Sequence, residues 1–188
     1  SRIESGGKTY QLEEADLKEV VVETMRAFDV RLSQTGFYLD LKVPDEPLMA
    51  YVNRDAVTQL LMNLLDNAIK YSGSSRNILV QAGRRDGQIA ISVTDYGIGI
   101  AREEREKIFD KFYRVSTGLV HDVKGSGLGL SIVKHIIEAH KGKITVESQP
   151  GAGSTFTMFF PSAEDFNARN AREKSGQARE PNLPVRVN

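Results

Sequence analysis

The chain contains no cysteine. Disulfides and thiolate metal sites are therefore excluded, and a reducing compartment is allowed. It also has no net charge, with 25 basic residues against 25 acidic ones. No global field draws it to nucleic acid or to an anionic membrane. No run approaches the roughly 18 apolar residues of a membrane span, and the opening residues do not read as a signal peptide. There are three histidines and no two-histidine motif, so a zinc site is not expected. The G-x-x-x-x-G-K-[ST] phosphate loop is missing as well. What remains is 188 residues, enough for one domain with a sizeable core and some extra tail. No internal repeat is present.

The most informative stretch is Leu60 to Ser72, LLMNLLDNAIKYS. At about 100° per residue, Asn63, Asn67 and Lys70 fall within an arc of roughly 60°. Val57, Leu61, Leu64, Leu65 and Ala68 take the opposite side and are expected to face the core. Two amides and an ammonium on one helix face suit a polyphosphate and its metal, because Mg²⁺ takes few protein oxygens when phosphates and waters supply the rest. Taken alone, the same face reads more readily as a solvated surface; the rest of the chain changes that.

In chain order, residues 1–7 read as the last turn of an upstream helix or as a disordered start. Lys8 to Glu13 is a weak strand candidate. A helix starts at Asp16 with Glu19 three residues on, a capping-box pattern, and runs to about Gln34. Phe37 to Val43 and Leu48 to Val52 read as strands. Asn53 caps the helix described above. Asn77 to Gly83 and Gln88 to Thr94 form a hairpin around Asp86-Gly87. The second strand delivers Asp95 into a glycine-rich turn, and AREEREKIF reads as a short helix. Arg114 to Lys124 has no period and reads as a mobile connection. A helix over about 127–141 follows, then strands over 143–148 and 155–160. Residues 162–188 read as a polar, disordered tail. The fold class is α+β: a two-layer sandwich in which one mixed, mostly antiparallel sheet is covered by helices on one face.

Three groups of residues carry chemistry. Asp95, at a strand end, is a good acceptor for an exocyclic amine in a dry pocket. Gly97 and Gly99 would let backbone approach a flat ring, although a plain strand-to-turn junction uses the same residues. Gly125, Gly127 and Gly129 sit where a loop becomes a helix, and a helix N-terminus binds anions. Its field is worth about 0.3–1 kcal/mol per charge, so side chains and metal must add to it. Lys70, Arg114 and Lys124 are the available cations, the last two reading equally as surface charge. The spacing of these glycines is not the dinucleotide-binding G-x-G-x-x-G. Ser131-x-x-Lys134 lacks partner motifs, and His135 and His140 read as structural or exposed.

Five patterns occur in order: Asn63-x-x-x-Asn67-Ala-x-Lys70, Asp95-x-Gly97-x-Gly99, Phe109-x-x-Phe112, Gly125-x-Gly127-x-Gly129 and Gly151-x-Gly153-Ser-Thr155-Phe. Together they resemble the catalytic ATP-binding domain of bacterial sensor histidine kinases, over residues 8–161. Residues 1–7 would then resemble the end of an upstream dimerisation helix. The resemblance implies the α/β sandwich shared with DNA gyrase and heat-shock-90-type ATPases. It implies ATP and Mg²⁺ as cofactors, with Asn67 on the metal, Asn63 beside it and Lys70 on phosphate. It also implies Tyr71 near adenine, and Asp95 accepting from the adenine amine with help from Thr155. Ile100, Leu128 and Leu130 would complete the nucleotide site, and residues 113–126 would be a lid over it.

Two departures bear on activity. Hydrolytic relatives carry Glu where Asn63 stands, and an amide cannot act as a base. This favours phosphoryl transfer to a protein over hydrolysis. The family's acceptor-histidine segment is also missing, and His121-Asp122 only mimics its start. The implied partners are therefore a dimerisation domain carrying the histidine and, through it, a response regulator. No nucleic-acid or membrane contact is expected. The implied place is the cytoplasm, for a domain of a parent that can be anchored in the inner membrane. A regulatory nucleotide-binding module and an anti-sigma-type serine kinase are the alternatives.

Overall fold

The computed structural model of the protein describes residues 2–5, 8–32, 34–113 and 127–177. Two short strands open it, β1 (Arg2–Ser5) and β2 (Lys8–Gln11), paired antiparallel with Ser5 opposite Lys8. Over residues 2–5 the strand stands in place of the expected helix end or disordered start. The sequence places Gly6-Gly7 between the paired ends, a two-residue hairpin signal, and pairing satisfies backbone groups that one isolated helical turn would leave open.

Leu12 is buried and separates β2 from β3 (Glu13–Asp16). Helix α1 (Leu17–Leu32) follows. Its start is fixed by Asp16, whose Oδ1 accepts from the amides of Lys18 at 2.9 Å and Leu48 at 2.7 Å. Next come β4 (Tyr38–Lys42) and β5 (Met49–Val52), the latter antiparallel to β3. Helix α2 (Arg54–Lys70) is capped as expected: Asn53 Oδ1 accepts from Ala56 N at 2.9 Å. The hairpin of β6 (Asn77–Arg85) and β7 (Gln88–Asp95) turns at Asp86 and Gly87, with φ 51° and 77°. That is the left-handed pair a two-residue turn requires. Helix α3 (Gly129–Ala139), β8 (Lys143–Gln149) and β9 (Gly153–Pro161) complete the sandwich.

The main sheet runs β4-β6-β7-β9-β8, with β4–β6 parallel and every other pair antiparallel. Alternation along the strands sends Ile89, Ile91 and Val93 of β7 and Phe156, Met158 and Phe160 of β9 into the core. There they meet Val57, Leu61, Leu64, Leu65 and Ala68 of α2, all buried as the helical period predicts. Each fully buried leucine contributes about 1.5–3 kcal/mol. Helix α2 is thus held firmly by one side while its amide face stays free.

Two further expectations are corrected. AREEREKIF forms two separate 3-10 turns, Arg102–Glu104 and Lys107–Phe109. Only Ile108 in them is buried, so no apolar stripe anchors a continuous helix. Residues read as the start of a disordered tail instead form helix α4 (Ala163–Gln177). Ser162 begins it: its Oγ accepts from Asp165 N at 3.2 Å and its carbonyl from Phe166 N at 2.9 Å. Phe166 is buried and stacks on Tyr51 of β5, with ring centroids 4.7 Å apart. One aromatic anchor and one cap order a segment that is otherwise polar.

Candidate functional site

The open face of α2 looks toward the start of α3. A Cβ placed on Gly129 would sit 3.6 Å from Asn63 Oδ1 and 4.0 Å from Asn67 Nδ2. No side chain caps α3 at Leu128, so its first amides keep the anion-binding character of a free helix N-terminus. Between the two helices lies a cavity of about 250 Å³. Asn63, Asn67 and Lys70 wall it on one side, and Gly127, Leu128, Gly129 and Leu130 on the other.

A second cavity, of about 80 Å³, adjoins the first and shares Asn67, Tyr71, Ile108, Tyr113 and Leu130 with it. Asp95 lies at its polar end; Ile98, Gly99, Ile100 and Phe156 line the rest. The layout suits a small molecule with a flat apolar part and a charged tail.

Asp95 is only 6% exposed. Burial pushes its carboxyl up to about 6, against backbone hydrogen bonds from Gly97 and Ser154 that pull it down. Its Oδ1 accepts from Gly97 N at 2.9 Å. At neutral pH the group is mostly an ionised acceptor in a dry wall, which suits an amine donor.

The glycines serve the chain more than a ring. A Cβ on Gly97 would lie 1.9 Å from Tyr71 O, and one on Gly99 would lie 1.9 Å from Gln149 O. Gly99 lines the cavity and Gly97 does not. Their small size lets the Asp95 turn lock onto the end of α2 through Ile98 N to Tyr71 O at 3.0 Å. Both glycines are therefore required by the turn itself, whatever room they also leave for a ligand.

Thr155 lines neither of these two cavities. It pairs with Thr94 across the strands, their hydroxyls 2.9 Å apart, and lines a shallower groove that Asp95 and Ser154 also border. Ser154, opposite Asp95 in register, lines the cavity instead. The period of two decides this: residues neighbouring along β9 point to opposite faces. Arg114, Lys124 and Gly125 fall outside the described residues, as does all but the first residue of the expected lid.

Several cavity residues were not anticipated from sequence. Tyr113 lines both cavities and donates its hydroxyl proton to Glu104. Asp66 lies on the same α2 face as the amides and lines the larger cavity; its spacing of three from Asn63 was the available signal. His140, 1% exposed, ties the far ends of the two site helices together. Its Nε2 accepts from Asn53 N at 3.0 Å, and its Nδ1 lies 2.7 Å from Ile136 O. The tautomer with the proton on Nδ1 satisfies both bonds, and burial pushes the ring below its usual range.

Residues 52–164 match the family described as histidine kinase-, DNA gyrase B- and HSP90-like ATPases. The sensor-like histidine kinase SenX3 of Mycobacterium tuberculosis is 35% identical over 183 residues, covering 97% of this chain and 44% of SenX3. Among solved structures, the catalytic domain of histidine kinase ThkA superposes with a TM-score of 0.70 at 29% identity, covering 81% of this chain and 98% of that one. Full-length ShkA in complex with AMPPNP superposes at 0.68 and 26% identity, covering 81% and 31%. The chain spans less than half the length of the curated relatives it matches.

Proposed function

Because the chain belongs to the histidine kinase-, DNA gyrase B- and HSP90-like ATPase family, we propose that it is the ATP-binding catalytic domain of a sensor histidine kinase. In this reading it passes the γ-phosphoryl group of Mg-ATP to a histidine on a dimerisation domain, from which a response regulator is charged. The observation that carries it is the pair of joined cavities, with Asp95 at the end of one, Lys70 and the α3 N-terminus in the other, and Asn67 on the wall of both. Asp95 accepts from the adenine amine, beside Ser154. Ile98, Ile100, Ile108 and Phe156 exclude water from the ring, with Tyr71 alongside.

Gly127, Gly129, Leu130 and Lys70 receive the phosphates. Among the described residues no three His, Cys, Asp or Glu side chains converge as a metal cage. A magnesium ion held mainly by phosphate and water fits such a donor set, with the Asn67 amide oxygen as its protein ligand and Asn63 beside it. When bound, the ion supplies neutralisation of charge that builds on the transferring group. Asn63 orients but removes no proton, so transfer to an activated acceptor is favoured over attack by water. Catalysis then rests on positioning and charge. No helix among the described residues is long and apolar enough to cross a membrane. In the proposed parent the domain works on the cytoplasmic side, whether or not a membrane anchor precedes it.

A fluorescent ATP analogue titrated with Mg²⁺ should bind, and Asp95→Ala or Asn67→Ala should abolish binding. Radiolabelled ATP with a separately made dimerisation domain should then place acid-labile label on that partner's histidine. Unchanged binding in both variants overturns the site assignment. Nucleotide binding without label supports a regulatory module, and acid-stable label on a partner's serine supports the anti-sigma type.

A further inference from the structure

The α2 face that lines the larger cavity holds Asn63, Asp66, Asn67 and Lys70, spaced three, one and three apart. Among the described residues lining that cavity, Asp66 is the one carboxylate. An anion there is unexpected, since a like charge opposes a triphosphate. It is not consumed by folding: its side chain remains 35% exposed, and its ionic partner is Arg31 of α1, with Nη1 to Oδ1 at 3.0 Å. Arg31 is itself 59% exposed, and an ion pair that open to water damps a carboxylate without cancelling its field.

A carboxylate beside a phosphate site opposes the free nucleotide and favours one that arrives with a cation. Hydrated Mg²⁺ keeps several waters, each a donor that a neighbouring carboxylate can accept from without binding the ion. We propose that Asp66 is a specificity-determining residue for the hydrated divalent cation. It discriminates metal-loaded from metal-free nucleoside triphosphate, and Arg31 sets the strength of that discrimination. This rests on the nucleotide reading of the cavity given above.

The test compares affinities of the 188-residue chain for a ribose-labelled fluorescent ATP analogue, measured with excess Mg²⁺ and with excess EDTA. In Asp66→Asn the free analogue should bind more tightly and the Mg²⁺ form more weakly. The ratio of the two affinities should shrink by about 1.5- to fivefold, the range an exposed charge pair supports. Asp66→Glu should keep the ratio, and Arg31→Gln should raise it. Equal change of both affinities in Asp66→Asn overturns the proposal, since loss of a mere α1–α2 tether predicts that result. If Asp66→Asn does not fold by circular dichroism, Arg31→Gln decides: a raised ratio supports the proposal and an unchanged ratio overturns it. A wild-type chain that binds nothing under either condition fails at the nucleotide reading instead, and a wild type that binds with variants unmoved fails here alone.

Discussion

Replacing Asp95 with asparagine should stabilise the free protein while destroying its proposed use. Burial takes this carboxyl from an ordinary 3.8 to about 6, which corresponds to about 3 kcal/mol held against ionisation. A group raised on folding adds stability that is complete below its unfolded value and disappears as pH climbs through its folded value. Above about pH 7 the wild type therefore carries the whole penalty. Asparagine keeps the oxygen that accepts from Gly97 N but leaves its own amide hydrogens without a clear acceptor, at a cost of about 1 kcal/mol. The net gain is about 2 kcal/mol, or about 4–8 °C in Tm for a chain of this size. Thermal melts of wild type and Asp95→Asn should be read from pH 4 to 8. The gap in favour of the variant should open between about pH 4 and 7 and stay flat above, while affinity for the ATP analogue is lost. A gap that does not vary with pH, or a variant less stable at pH 8, refutes the reasoning.

His140 should work in the opposite direction. Its ring is pushed below the usual 6.5, so the stability it adds is present above 6.5 and drains as pH falls through its lower folded value. In the Asp95→Asn background, urea melts at pH 8 and 5.5 should show this loss. His140→Phe should remove it and cost about 1–3 kcal/mol at pH 8 by leaving Asn53 N–H unmet. Gly97→Ala should cost more than about 2 kcal/mol in urea melts because its methyl would strike Tyr71 O. Gly83→Ala, which meets nothing within 4 Å, should stay within about 0.5 kcal/mol. Phe166→Ala should cost about 3 kcal/mol and speed hydrogen exchange across 163–172. Thr155→Val, facing away from the cavities, should leave nucleotide affinity unchanged.

The helical face of α2 and the hairpin before Asp95 were readable because their information is local. A period of 3.6 or 2 and an Asp-Gly turn need no distant partner to interpret. The pairing of Leu39 in β4 parallel to Ile78 in β6 was not readable, since register across a crossover is set by packing of the whole sheet. Ser154 was missed for a smaller reason. One step along a strand reverses the face, and only the partner residue tells which hydroxyl joins Asp95. Helix α4 hid because a single phenylalanine holds it, too weak a signal for any periodic count. His140 hid because its two partners lie on different helices, Asn53 being far away in sequence. Gly97 and Gly99 were noticed for the absent Cβ, but the atoms that require that absence belong to Tyr71 and Gln149, brought close only by the fold.

Phe112 holds an unusual positive φ of 64°, and its amide donates to Gly127 O at 3.1 Å. This bond ties together the two described residues that flank positions 114–126. When chain ends are held together, doubling the length between them adds only about 0.6 kcal/mol of closure entropy. A foreign peptide, an epitope or a dye-bearing cysteine inserted there should be carried without disturbing the fold. The cysteine-free background would make such a label unique on the chain.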